Sequence, residues 1–152
     1  MSKTVRRFAR LGPLVAVVAA LMIPTMAFAA DASIRPQSAK LVAKGVEVDV
    51  IVSFTCPPGF KVGSPFVGMP GGATVYVQQA ISRTQQAAGS GYSSGQACTG
   101  QPQTAVVQVL ANVPGPPFRR GPAVASANLQ ACDANFNCAY AASGLVTVRI
   151  SR

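Results

Sequence analysis

Residues 46–56, VEVDVIVSFTC, change character at almost every step. Val46, Val48, Val50, Val52, Phe54 and Cys56 fall on one face, and Glu47, Asp49, Ser53 and Thr55 on the other. Only an extended chain separates odd from even positions in this way, because successive Cβ atoms of a strand point to opposite faces. The run is rich in β-branched residues, which suit a pleated surface. It therefore predicts a strand with one buried side and places the Cys56 thiol in the core, where a sandwich would bridge its layers.

The same period recurs downstream. Thr74 to Ile81, Thr104 to Val113, Ala123 to Cys132 and Leu145 to Ile150 read as strands, with Ala105, Val107, Val109 and Ala111 inward in the second. In the third, Ala123, Ala125, Ala127 and Leu129 alternate with Val124, Ser126, Asn128 and Gln130. A first strand over Ser33 to Val42 is less regular. Nothing after residue 30 sustains a 3.6-residue period. Six to eight short strands separated by Gly/Pro turns predict an all-β, antiparallel, immunoglobulin-like Greek-key sandwich. Residues 57–72 hold four prolines and five glycines and read as irregular. Residues 82–95 are small and polar and read as a flexible loop or a weak edge strand.

The N-terminus reads as an address. Lys3, Arg6, Arg7 and Arg10 precede the apolar run Leu14 to Ile23, and Ala27-Phe28-Ala29 is a small-x-small cleavage pattern. The run is far short of the ~20 residues that span a bilayer. Residues 1–29 are thus expected to be a signal peptide; Arg6-Arg7 invites a twin-arginine reading, but Phe8 follows without a spacer and Arg10 lies close to the apolar run, so the general secretory route is the favoured of the two. Residues 30–152 are expected to be one extracellular domain without a transmembrane span. Its nine basic and four acidic side chains give a net charge of +5. The cations are scattered, unlike the dense stripe of a nucleic-acid surface.

An oxidising compartment favours disulfides. Cys56, Cys98, Cys132 and Cys138 allow three pairings. Cys132 and Cys138 lie six positions apart, a spacing suited to a tight hairpin, so Cys56–Cys98 and Cys132–Cys138 are expected. The cysteine spacing lacks the CxxC pairs of a structural zinc site, and no metal or other cofactor is expected.

The chain contains no histidine. Ser–His–Asp and Cys–His catalysis are therefore closed to it, and paired cysteines leave no thiolate. Glu47 and Asp49 lie side by side on one strand face, about 7 Å apart. Glycosidase carboxylates flank a bond across a cleft, so these two read as a solvated pair facing basic side chains. Asp133, Asn135 and Asn137 share the alternate spacing that opens a calcium loop, but the turn glycine and the downstream Glu are missing. A hairpin tip is the better reading. No enzymatic activity is expected.

Three strings, Phe54-Thr-Cys-Pro-Pro-Gly59, Cys98-Thr-Gly-Gln-Pro-Gln103 and Phe118-Arg-Arg-Gly-Pro-Ala-Val-Ala-Ser-Ala127, together resemble small secreted immunoglobulin-like domains common in actinobacteria and of unassigned function. The resemblance covers residues 45–150 and implies a sandwich with a disulfide near one end. It carries no activity with it. More distantly the chain is similar to neocarzinostatin-type apoproteins, which implies carriage of a small apolar ligand, with Cys132–Cys138 matching one of their small loops. A likeness to secreted subtilisin inhibitors would place a reactive segment at Met69-Pro70.

The expected function is that of a secreted, non-catalytic binding or envelope-associated structural module. Its partner would be an extracellular protein or an envelope component, not nucleic acid. The small-ligand carrier and the protease inhibitor acting through residues 57–72 are the alternatives. Rigid frameworks present recognition loops, and Phe60, Lys61, Phe66 and Met69 in this loop are the candidate binding residues. The competing expectation is that its apolar side chains fold back and cap the core.

Overall fold

A computed structural model describes residues 32–64 and 71–152. The expected signal peptide lies outside the described residues. Nine strands are described: β1 (Ser33–Val42), β2 (Glu47–Thr55), β3 (Lys61–Val62), β4 (Ala73–Ala80), β5 (Gln86–Ser93), β6 (Gln103–Ala111), β7 (Gly121–Cys132), β8 (Cys138–Ala142) and β9 (Val146–Ser151). A single 3-10 turn, Ala43–Gly45, links β1 to β2.

The sheet does not stop at two edges, as an open sandwich would. Seven strands run in the order β7-β4-β5-β6-β2-β1-β9, and β9 pairs back onto β7, so the sheet closes into a barrel. The length of β7 makes this possible. Its first half pairs with β9 on one side, Gly121 to Ala125 against Val146 to Ile150, and its second half pairs with β8. On its other side it takes β4 and then β3.

Two seams of the ring are thin. β5 meets β6 through Gly89↔Ala111 and Ser90↔Leu110. β1 meets β9, the one parallel pair, through Ala39↔Ile150 and Lys40↔Ser151. Between these seams the arcs β1-β2-β6 and β5-β4-β7-β9 are paired over long registers. Alternation along a strand fixes which face is buried but not whether the sheet's ends meet, so sandwich and barrel share one sequence pattern.

The interior is filled with small and β-branched side chains. Val48, Val50 and Val52 of β2, Val75 and Val77 of β4, and Val107 and Val109 of β6 are fully buried. They meet Ala123, Ala125 and Ala127 of β7 in one core cluster. Val46 departs from expectation and is 55 % exposed. Its backbone is still helical at the end of the 3-10 turn (φ −69°, ψ −25°), so the alternation starts one residue later, at Glu47. The irregularity of β1 also has a cause. Its register against β2 shifts between Pro36 and Ser38, which leaves Gln37 as the extra residue of a bulge. The Gln37 side-chain amide donates to Ser53 Oγ at 2.7 Å.

Residues 82–95 are not a flexible loop. They hold β5, a full member of the ring that pairs with β4 from Ala73↔Ser93 to Ala80↔Gln86. A side chain at Gly91 would run into the Gln108 carbonyl, and one at Gly89 into the Leu110 carbonyl and the Phe118 ring. Glycine here permits close approach to β6, and the same glycines hide the strand from a hydropathy reading.

One end of the barrel is sealed by the loop between β6 and β7. Phe118 is buried there (1 % exposed), and its N–H donates to the Gly45 carbonyl at 2.9 Å. Gln79, the one buried polar or charged residue among the described residues, holds this loop in place. Its Nε2 donates to the Arg119 carbonyl and its Oε1 accepts from the Arg119 N–H, both at 2.8 Å.

Candidate functional site

The opposite end of the barrel carries both disulfides. Cys56 is bonded to Cys98, and Cys132 to Cys138, as the spacing predicted. The first bridge does not tie opposing layers, contrary to expectation. It joins the residue after β2 to the loop that leads into β6, and β6 is the neighbour of β2 in the sheet. The second closes the β7–β8 hairpin across the facing pair Cys132↔Cys138.

β3 locks the two bridges together. Residues 57–72 were expected to be irregular, yet Lys61 and Val62 form a short strand with partners on both sides. On one side Lys61 faces Cys132 and Val62 faces Ala131. On the other, Lys61 bridges to Ala97, the Val62 N–H donates to the Gln96 carbonyl at 2.9 Å, and the Val62 carbonyl accepts from the Gly95 N–H at 2.7 Å. The Cys98 N–H donates to the Phe60 carbonyl at 2.9 Å. Three loops from distant parts of the chain are thereby fixed as one surface.

A cleft of about 580 Å³ opens on this surface. Its lining includes Gly59, Gly63, Gly71 and Gly95, with Lys61, Asp133 and Phe136 among its larger side chains. Lys61 is exposed and lines the cleft. Phe60 is half-buried and packs against the core, so it behaves in part as the cap. Phe66 and Met69 lie outside the described residues.

Phe136 was not anticipated from the sequence. It is 60 % exposed and adopts φ +65°, a left-handed conformation that bulky residues rarely take. The flanking Asp and Asn residues signal a turn, but nothing in the sequence says which residue must take its left-handed position. Strained backbone of this kind collects at functional sites.

The hairpin tip also accounts for Asp133. Its Oδ1 accepts the N–H groups of Asn135 (2.8 Å) and Asn137 (2.9 Å), and its Oδ2 accepts the Asn137 side-chain amide (2.8 Å). The carboxylate is used to fold its own turn. These bonds, the Asn137 side chain foremost, hold the Asp133 carboxyl below its ordinary value. A depressed carboxyl contributes its stabilisation above the unfolded value near 3.9 and loses it as pH falls through the folded one. In an NMR acid titration the Asn135 and Asn137 amides are therefore expected to shift together, with a midpoint below that of a free Asp. A midpoint at or above the free value would contradict the assignment.

Glu47 and Asp49 stay side by side on the outer face of β2, with Lys40 directly across from Asp49. Asp49 Oδ1 is buried without a hydrogen-bond partner, so Asp49 is less solvated than expected. All four cysteines are bonded, which removes a thiolate nucleophile. Among the described residues, no three His, Cys, Asp or Glu side chains cluster as metal ligands, and no helix is long and apolar enough to cross a membrane. No protein-family model, curated protein or solved structure matches the chain.

Proposed function

We infer that this is an exported, non-catalytic binding module that engages an extracellular or envelope partner through the disulfide-clamped end of the barrel. One observation carries the reading: both disulfides and β3 fix three loops around a single cleft. Preorganised loops lose little conformational freedom on binding, so more of the contact energy appears as affinity. Lys61 supplies a cation at the cleft, and Phe136 supplies an exposed aromatic ring, a residue type enriched at interfaces. The leader-like N-terminus and the two disulfides support export. The two broad arcs and thin seams of the barrel support kinship with immunoglobulin-like domains.

The test pairs function with stability. Labelled protein is expected to bind a native envelope fraction, and the Lys61→Ala/Phe136→Ser variant to lose that binding while melting at the same temperature. Unchanged binding by the variant would refute the site. Hydrolysis of peptide, ester or glycan substrates by metal-free protein, lost on replacing Glu47 or Asp49, would refute the non-catalytic reading.

A further inference from the structure

The fold gathers cations that the sequence scatters. Of the nine basic side chains after residue 30, Lys44, Arg83, Arg119, Arg120, Arg149 and Arg152 come together at the end of the barrel sealed by Phe118. Lys44 lies in the 3-10 turn whose Gly45 carbonyl takes the Phe118 N–H. Arg119 and Arg120 follow Phe118 directly. Arg149 faces Pro122, and Arg152 lies just beyond the Ile150↔Gly121 pair. Arg83 is in the turn after Gln79, the side chain that holds the Arg119 backbone. All six are exposed. Among the described residues, no side-chain hydrogen bond or ion pair engages them. Of the described acids, Asp133 sits at the opposite end and Asp49 faces Lys40, which leaves Glu47 alone to offset the six.

The strand order places these charges around a rim. They stand at the ends of β7, of the β4–β5 and β1–β2 connections, and of β9. The remaining position, the end of β6, is apolar. Residues 113–117 read Val-Pro-Gly-Pro-Pro, and Val113 is 92 % exposed, more than any other large hydrophobic side chain among the described residues. Val46, whose carbonyl accepts the Ala111 N–H at 2.8 Å, is 55 % exposed beside it. A soluble phosphate polymer would engage the cations and leave Val113 in water. A lipid surface uses both, since headgroup phosphates attract the cations and the acyl boundary takes the apolar tip.

We propose that this end of the barrel docks on an anionic lipid membrane, with Val113 entering the interface and the six cations over the headgroups. The disulfide-clamped cleft, at the other end, then faces away from the membrane. The docking does not depend on what the cleft binds.

The oxidised domain of residues 30–152, which holds every described strand, is mixed with vesicles of phosphatidylcholine with and without phosphatidylglycerol, and bound protein is read by flotation. Binding is expected with phosphatidylglycerol alone, and it should weaken as salt screens the cations. Each cation near the surface is worth roughly fivefold in affinity, so Arg119→Ala/Arg120→Ala should weaken binding roughly 25-fold. Val113→Ser should weaken it roughly tenfold. Both variants should melt unchanged, because the replaced side chains are exposed, and Lys61→Ala should bind like the parent. Three results would overturn the proposal: no binding to anionic vesicles, equal binding to both kinds, or binding that Val113→Ser leaves unchanged and soluble polyphosphate competes away. In salt that abolishes vesicle binding, envelope binding that persists and is lost on Lys61→Ala/Phe136→Ser belongs to the cleft, so the two readings fail independently.

Discussion

Replacing Cys56 and Cys98 together with alanine is expected to lower the unfolding free energy by about 4 kcal/mol. The bridge closes a loop of sequence separation 42, and losing it frees that whole loop in the unfolded chain. Cys132 and Cys138 are six apart, and their removal should cost only about 2 kcal/mol. Urea denaturation of the oxidised variants measures both. The long bridge should matter more, because it also anchors Phe60 and the strand β3 that joins the two disulfides. A larger loss from the short bridge would mean that the clamped end is organised from the hairpin and not from Cys56.

Phe118→Ala should be comparably damaging, by about 3–5 kcal/mol. The ring is 1 % exposed and fills the end of the barrel opposite the disulfides. Its neighbour Gly89 has no side chain to move into the vacated space, and a side chain at Gly45 would strike the Phe118 carbonyl, so the site has little room to relax. Phe118→Leu keeps most of the volume and should cost much less. Equal losses for the two substitutions would show that the residue acts through its backbone position and not through its ring.

Much of the framework was legible because it rests on period-two alternation. β2 and β7 carry buried Val and Ala against polar residues, and they appear at the positions the pattern gives. The disulfide pairing followed from the spacing of Cys132 and Cys138. β5 was hidden for a physical reason: its inward residues are Ala87 and Gly89, too small to register against the outward Ser90 and Tyr92. Barrel closure was hidden because it depends on β7 being shared between β8 and β9, a property of pairing and not of any one segment. Phe118 sits in a proline-rich loop, where no periodicity marks it as core.

The candidate site was legible only in part. Lys61 stands at the cleft, but the strand that holds it there was obscured by the surrounding prolines and glycines. Phe60 divides its surface between core and solvent. Phe136 depends on a local backbone conformation, which a linear reading does not expose.

The most direct measurement is an amide chemical-shift map of the oxidised protein during titration with the solubilised envelope fraction that binds it. The account predicts shifts centred on residues 59–64, 94–95 and 132–137, with the interior of β2 and β6 unmoved. Shifts centred on Glu47 and Asp49, or spread through the core without a focus at the disulfide-clamped end, would contradict it.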